Sequence, residues 1–329
     1  MKSIEINIKS FLSNESDTEE NYQNLIQSIE DQKILNDKYE IKLILLVISA
    51  ISNHYVRSSS FFDKIERILL YFKESIQNNF LNEDIFNIFS DNKRILLFLI
   101  KEKIIEINIT IFNILTNLQH RRNKFPQYFL PEIKQFYELN KEQIKQEKND
   151  EDDENEEDDE YDDDGDDEEK NEEEAEYDDI VENNYNYNYN QYKKKRIPKL
   201  DFLDKLIKND IAENFEEKRK IGENDDLICK MIQKDLIEDF IIYVNKTNLS
   251  LNTQINSSIF ETNCFLTSRN PTLIEYASFY GSIQIFNYLY KNKVKLTNSL
   301  WLYAVHSDNP ELIHILEEEK CEKPKSFKN

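Results

Sequence analysis

Histidine and cysteine, the side chains that most often serve as bases, nucleophiles and metal ligands, are few and scattered in this chain. The four histidines are His54, His120, His306 and His314. A neutral imidazole is a general base or a metal ligand, and a metal site needs several ligands together. His306 and His314 fall on consecutive predicted helices without an obvious third ligand. We therefore expect surface or packing roles for the histidines and no metal site.

The three cysteines, Cys229, Cys264 and Cys321, lie far apart, and their number is odd. They include no CxxC pair, so the pattern indicates reduced thiols and not a disulfide framework. The sequence also contains no Gly-rich phosphate loop, no G-x-S-x-G and no H-E-x-x-H. We therefore predict no catalytic residue, no cofactor and a protein that is not an enzyme.

Carboxylates are the one abundant reactive group, and most of the excess lies in a single tract. Residues 150–179 hold 23 acidic side chains and one Lys, a net charge of −22 in a chain whose total is −23. Carboxylates bind divalent cations, but the tract lacks the alternating ligand spacing and turn Gly of a calcium loop. We predict a solvated acidic segment without a metal site, in a chain that is otherwise nearly neutral.

The acidic tract belongs to a longer segment, residues 149–197, that also contains the low-complexity run NNYNYNYNQY. Repelling charges and scarce apolar side chains predict a disordered insert. The tract is a candidate ligand for basic proteins, or else a solvating insert with no specific partner. Its charge argues against nucleic acid as a ligand.

Composition also bears on where the protein acts. The N-terminal region is polar through Glu40, which predicts no secretory signal. The apolar run from Leu43 to Ile51 is far shorter than the roughly 20 residues that span a bilayer, so no membrane partner is expected. The basic run Lys193, Lys194, Lys195 and Arg196 resembles a short nuclear-import signal. We expect a cytoplasmic or nuclear protein that is not secreted.

The elements that must position all these side chains read as helices. Only three Gly and six Pro occur in 329 residues, which argues against an all-β fold. Between residues 19 and 148, apolar side chains recur at helical spacing. Two such stripes are Ile41, Leu45, Ile48 and Ile51, and Phe61, Ile65, Ile68, Leu69 and Phe72. Residues 83–104 read as a helix–turn–helix, and a last helix is predicted from Glu132 to about Lys148.

A repeat occupies the C-terminal part of the chain. Ala277 returns as Ala304, Gly281 as Asp308, and Leu289 as Leu316, each at an offset of 27. The best copies are 270–296 and 297–319, and a weaker helix–turn–helix unit spans Leu227 to Val244 with Asp235 in its turn. Small residues suit close helix crossings, and Gly or Asp suits a left-handed turn. Thr272 and Glu275 have the T-x-x-E spacing of a capping box at the start of a helix.

The unit TLIEYASFYGSIQIFNYLYKNKVKL resembles an ankyrin repeat, most closely the divergent ankyrin-type proteins abundant in some protists. The residues that match the repeat framework are Thr272, Ala277, Gly281, Leu289, Ala304, Asp308 and Leu316. Leu273 replaces the family Pro and Glu275 the family His, so the usual turn interactions are expected to be lost. The short period, against about 33 for ankyrin, predicts a short loop near Lys291–Asn298 in place of a β-hairpin finger.

The resemblance implies an all-α, ankyrin-like solenoid interrupted by the acidic insert. We expect a helical N-terminal region at 1–148, the insert at 149–197 and ankyrin-like repeats at 198–329. About three repeats are needed for stability, so both halves are expected to pack into one array, with two separate domains as the alternative. The implied function is a non-enzymatic adaptor that binds another protein. The alternative is an acidic-tract protein that chaperones or sequesters basic partners such as histones.

Aromatic side chains are the best candidates for contacts with such a partner. Tyr276, Tyr280 and Tyr290 are predicted either to contact a partner or to pack between helices. Trp301 and Tyr303 occupy first-helix positions, so we predict that they lie in the core.

Overall fold

The computed structural model describes residues 2–13, 18–54, 60–116, 125–154, 200–211, 213–267 and 269–324. Within these ranges every regular element is a helix, which confirms the all-α class. The only pairing of extended backbone there is an isolated bridge between Gln254 and Thr272. No helix in the same ranges is long and apolar enough to cross a membrane.

The helices follow one another through the chain, with one 3-10 turn at Ile34–Asn36. They are α1 Lys2–Ser13, α2 Glu19–Asp31, α3 Lys38–His54, α4 Phe61–Tyr71, α5 Lys73–Asn79, α6 Asn82–Ile88, α7 Lys93–Lys101, α8 Ile109–Thr116, α9 Phe125–Tyr128, α10 Leu130–Glu154, α11 Leu200–Lys208, α12 Phe215–Ile221, α13 Leu227–Gln233, α14 Ile237–Thr247, α15 Cys264–Thr267, α16 Leu273–Tyr280, α17 Ile283–Lys291, α18 Leu300–His306 and α19 Pro310–Glu318.

These helices form two compact units whose segments alternate along the chain. The first unit comprises Met1–Phe80, Ile88–Ile104 and Glu213–Asn329. The second comprises Leu81–Asn87 and Ile105–Ala212. The division therefore falls inside the predicted helix–turn–helix at 83–104, and the first unit combines residues from both halves of the sequence.

In the first unit, the predicted apolar stripes of α3 and α4 are buried. Both stripes face the interior because their side chains recur every three or four residues on one side of a helix. The deeply buried Lys64 donates to the backbone carbonyl of Phe11 at 3.1 Å, which ties α4 to α1. Helix α1 lies within the predicted helical region at 1–148, although it begins before the first apolar stripe.

Hydrogen bonds of α3 and α7 also tie the two halves of the sequence together within the first unit. Lys93 donates through Nζ to the backbone carbonyl of Ile259 at 2.9 Å. The amide of Asn263 donates to the backbone carbonyl of Asn53 at 3.4 Å. Both contacts join positions that are distant along the chain, with sequence separations of 166 and 210, so this unit forms only when the two halves meet.

The second unit has its own aromatic core. Phe86 and Phe125 meet edge to face with ring centroids 6.1 Å apart, and Phe112 lies 5.0 Å from Phe136. Lys134 on α10 donates to the backbone carbonyl of Asn209 at 2.7 Å. The contact holds the end of α11 against α10, which packs directly on α8, α9 and α11.

Helix α10 corrects one predicted boundary. It begins at Leu130 and continues to Glu154, past the end expected at Lys148, with non-helical backbone at Asn140 (φ −122°, ψ 21°). The first residues of the acidic tract, 150–154, are therefore part of this helix. The rest of the predicted insert, including the basic run at 193–196, lies outside the described residues.

Three helical hairpins complete the first unit. The first hairpin pairs α13 with α14, the second α16 with α17, and the third α18 with α19. Helix α16 packs on α13 on one side and on α18 on the other, and α14 packs on α17. The hairpins are therefore stacked side by side in chain order, and they share one continuous apolar core.

Candidate partner-binding surface

Small residues and capped helix ends set the spacing within the stack. Ala277 and Ala304 are both fully buried, as expected of residues at close helix crossings. The predicted T-x-x-E capping box at Thr272 is present, since Thr272 and Glu275 satisfy each other's backbone N–H groups. Asn309 caps α19, and Pro310 follows at the start of that helix. Leu289 and Leu316 are buried in the shared core.

The three hairpin turns use the left-handed backbone that their residue types predict. The φ angles are +50° at Asp235, +67° at Gly281 and +50° at Asp308. Glycine adopts this conformation without steric cost, and aspartate tolerates it better than most residues. The turns therefore occupy the same place in each hairpin, although the first two are further apart along the chain than the last two.

The turn of the first hairpin caps a helix of the second. The carboxylate of Asp235 accepts hydrogen bonds of 3.0 Å from the backbone N–H groups of both Gln284 and Ile285. Ser282 precedes α17 but makes no side-chain cap bond to that helix. Its hydroxyl donates to the backbone carbonyl of Ile232 instead. The unpaired N–H groups at the start of α17 are thus satisfied by the neighbouring hairpin.

Between the second and third hairpins the polar side chain comes from the later hairpin, because Gly281, at the turn of the second hairpin, has no side chain. Asn309 accepts from the backbone N–H groups of Glu311 and Leu312 in its own helix. Its amide also reaches the backbone carbonyl of Gly281, at 3.5 Å. Here the following hairpin supplies the polar group that links the two turns.

Glu275 adds a second link at the opposite end of these two hairpins. One carboxylate oxygen accepts from Thr272 in the capping box, and the other accepts from the hydroxyl of Ser299, just before α18. Glu275 stands where an ankyrin repeat has His, and the interactions of that His were predicted to be lost. The carboxylate replaces them with a hydrogen bond between successive hairpins.

The connection between the second and third hairpins is short, as the short repeat period predicts. Residues 292–299 contain no strand. Lys293 has a φ of +63°, and the next N–H, of Val294, donates to the backbone carbonyl of Leu289 at 3.2 Å. This terminates α17 as a left-handed C-cap does.

The longer connection at residues 248–271 lies over the first helices of the stack. Phe265 on α15 is buried, and its ring lies 5.5 Å from that of His306. His306 in turn stacks on Phe279 with ring centroids 4.0 Å apart. Phe265 therefore covers part of α18, the first helix of the third hairpin.

The three predicted contact tyrosines have different environments. Tyr276 is 1% exposed, and its hydroxyl accepts from the Gln233 amide at 3.0 Å. It is therefore not accessible to a partner, and burial raises its pKa well above the usual value. Tyr280 and Tyr290 are half-buried and reach the surface. Tyr290 donates to Glu319, a hydrogen bond that also raises the tyrosine pKa.

Tyr290 lines a groove of about 520 Å³ at the loop end of the last two hairpins. The groove lies between the connection at 295–298 and the segment at 319–322, and it contains two lysines and two glutamates. Leu296 and Cys321 contribute apolar surface. A lining that mixes both charges with apolar side chains suits a peptide or a protein side chain better than it suits a ligand with charges of only one sign.

Trp301 and Tyr303 are buried, as predicted. The indole N–H of Trp301 donates to the backbone carbonyl of Cys321 at 3.1 Å. Burial, with a smaller contribution from Glu275, raises the pKa of Tyr303 to about 12. Both side chains join the last helices to the core.

Cys229, Cys264 and Cys321 are free thiols, and burial raises the pKa of Cys229 to about 12. Among the described residues no group of three His, Cys, Asp or Glu side chains is placed to hold a metal ion. His314 is exposed and lies 3.1 Å from Glu318 one turn along α19.

Comparison with known proteins does not place the chain in a family. No family model matches it, and neither a curated protein nor a solved structure shows significant similarity to it. The geometry of the hairpins must therefore carry the functional argument.

Proposed function

We propose that this chain is a non-enzymatic, ankyrin-like scaffold that binds another protein across its stacked helical hairpins. The observation that carries the proposal is the set of hydrogen bonds between successive hairpins, from α17 to Asp235 and from Ser299 to Glu275. These bonds hold neighbouring hairpins in a constant relationship. Stacked repeats of this kind present broad, rigid surfaces for protein partners.

The partner contacts are best assigned to surfaces that the chain leaves uncovered. Phe265 covers part of α18, the first helix of the third hairpin. The second helices and the loop end remain, and Tyr290 lies where they meet, on the groove with Leu296. A half-buried tyrosine beside an apolar side chain is the type of residue that dominates interface energies.

Affinity capture from native lysate tests this assignment. Tyr290→Ala should reduce recovery of the partner by about tenfold, the effect of losing an aromatic anchor. Tyr39→Ala is the matched control, because Tyr39 is 65% exposed on α3, outside the hairpins. Equal recovery with both variants would remove Tyr290 from the binding surface, and an absence of specific partners for the parent protein would contradict the scaffold function.

A second candidate function rests on charge. The net charge of −22 in residues 150–179 favours a protein that sequesters basic partners, with the hairpins serving only to carry the tract. Deleting residues 155–179 separates the two functions and leaves α10 complete. A scaffold keeps its partner after the deletion, whereas a sequestering protein loses it. Binding by the tract should also collapse between roughly 0.05 and 0.5 M salt.

A further inference from the structure

The third hairpin exposes an apolar side chain at a position that is covered in the hairpins before it. Ile232 and Ser278 lie three residues before the turns of the first and second hairpins, and both are 0% exposed. Val305 stands three residues before the third turn and is 52% exposed. The difference follows from stacking, because a following hairpin packs on each of the first two, whereas no described helix follows the third.

The turn of the third hairpin carries a capping group with nothing to cap. Asp308 has the same φ as Asp235, +50°. Asp235 is half-buried and accepts from the backbone of α17, whereas Asp308 is exposed. Among the described residues the Asp308 carboxylate has no hydrogen-bond or salt-bridge partner. Val305, near the end of α18, and Asp308, in the turn that follows, correspond to Ile232 and Asp235 of the first hairpin, and we call the surface that they form the end face.

The chain leaves the third hairpin in the conformation that it uses between hairpins. Lys320 has a φ of +52°, and the N–H of Cys321 donates to the backbone carbonyl of Leu316 at 2.9 Å. Lys293 and Val294 do the same after the second hairpin. The third hairpin therefore keeps the geometry of an internal unit of the stack.

We propose that the end face binds a helical hairpin of a partner protein, in the way that the first hairpin receives the second. An apolar side chain of the partner's first helix covers Val305. The backbone N–H groups at the start of its second helix donate to the Asp308 carboxylate. This rests on the proposed scaffold function and adds the chemistry of one partner: an amphipathic hairpin whose second helix lacks a capping side chain of its own.

Charge favours a partner over a second copy of this chain. Asp308 is exposed at the turn of the third hairpin. A two-fold contact between end faces would bring the two Asp308 carboxylates together, because each copy presents the same patch. A helix N-terminus instead carries partial positive charge, which complements Asp308.

The test supplies such a hairpin covalently. Residues 325–329 are replaced by a copy of residues 271–297, which contains the hairpin already seen docked on Asp235. Since Pro324 stands one repeat period after Thr297, the copy continues the repeat in register. If the end face accepts it, the copied amides of Gln284 and Ile285 should exchange hydrogen at least tenfold more slowly than with Asp308→Gly in the same extended chain.

Thermal unfolding of matched variants supplies the second readout. Val305→Asp should lower the midpoint of the extended chain by about 2–4 °C and leave that of the parent chain unchanged, since Val305 is exposed there. Ile242→Asp is the control, because Ile242 is 64% exposed on α14, in the first hairpin. This control should have equal effects in both chains.

Two results would overturn the proposal. Equal effects of Val305→Asp in both chains would show that the end face does not accept a hairpin. A parent chain that light scattering shows to be a dimer, dissociated by Val305→Asp, would assign the face to a second copy. Neither measurement uses the natural partner, so failure here is distinguishable from failure of the Tyr290 capture experiment, which tests the scaffold function itself.

Discussion

Asp235 and Ile285 lie in different hairpins, yet the Asp235 carboxylate accepts a 3.0 Å hydrogen bond from the Ile285 backbone N–H. The second carboxylate oxygen accepts from Gln284 at the same distance. Helix α17 therefore begins at N–H groups that are satisfied only when the first hairpin is in place. Such a contact couples the folding of adjacent hairpins, which is how repeat arrays become cooperative.

Replacing Asp235 by Gly should lower the free energy of unfolding by about 1 kcal/mol, the usual value of a helix cap. Glycine keeps the left-handed turn accessible, so the loss isolates the carboxylate. Asp308→Gly is the matched control, with the same φ and an exposed side chain. Urea denaturation of both variants measures the difference, and equal midpoints would mean that the cap to α17 contributes nothing.

Ala304→Leu should destabilise the protein by about 1–3 kcal/mol, because the added methylene groups overpack a close helix contact. Ala304 is fully buried. Its neighbour Val305 is exposed, so Val305→Leu should change stability by less than about 0.5 kcal/mol. Chemical denaturation tests both. An unchanged midpoint for Ala304→Leu would show that the helix register inferred from the repeat is wrong.

Glu275 and Ser299 should be energetically coupled. Each single replacement by Ala removes the hydrogen bond between the second and third hairpins, and Glu275→Ala also removes the capping box. A double-mutant cycle should give an interaction energy of about 0.5–1.5 kcal/mol, typical of a hydrogen bond to a charged group that is partly solvated. Strict additivity of the two substitutions would exclude this link.

Cys229 should resist thiol reagents and make stability depend on alkaline pH. Burial raises its pKa from 9.0 to about 12, so the folded state favours the neutral thiol. This stabilisation is fully present below pH 9 and is lost as pH rises from 9 to 12. Cys264 and Cys321 are half-buried and should be labelled first at pH 8.

The alkaline loss of stability should be smaller in Cys229→Ala than in Cys264→Ala, the matched control. Denaturation midpoints between pH 8 and 11 measure it. Labelling of Cys229 as fast as that of the other two thiols would mean that the first hairpin opens readily.

Asp225 should make the free energy of unfolding depend on pH in the acid range. Burial by itself would raise its pKa, but hydrogen bonds from Lys218 and Ser258 outweigh this and lower the pKa below the usual 3.8. A depressed folded-state pKa means that the stabilisation is present above pH 3.8 and is lost as pH falls through the folded value. Unfolding of Asp225→Asn should therefore depend less on pH between 5 and 2.5, and parallel pH profiles would contradict the assignment.

Features that depend on neighbouring residues could be predicted from the sequence. The capping box at Thr272, the left-handed turns at Gly281 and Asp308 and the apolar stripe of α4 are confirmed. Each follows from steric or hydrogen-bonding preferences within about one helical turn. The end of α10 was misplaced because charge composition says little about where a helix stops once it has formed.

The candidate site was less predictable, since it depends on residues distant in sequence. In the sequence, Tyr276 and Tyr290 are both tyrosines on predicted helices, with nothing to tell them apart. In the structure only Tyr276 is enclosed, next to Gln233 of the first hairpin. The sequence predicted a turn at Asp235. It did not predict that this carboxylate would cap α17, which lies in the next hairpin. No local sequence pattern predicted that Phe265 would cover part of a first helix.

By itself, the sequence determined that this protein is helical, that its charge is concentrated in one tract, and that its C-terminal part contains a short repeat. Each of these properties is periodic or additive along the chain, so it can be recognised without knowledge of the fold. Only the tertiary structure decided that segments from both halves of the sequence share one unit, as the hydrogen bond from Lys93 to Ile259 shows. It also decided which surfaces remain exposed. Burial and capping between hairpins are contacts across space, and the energy of such contacts depends on packing that no local pattern specifies.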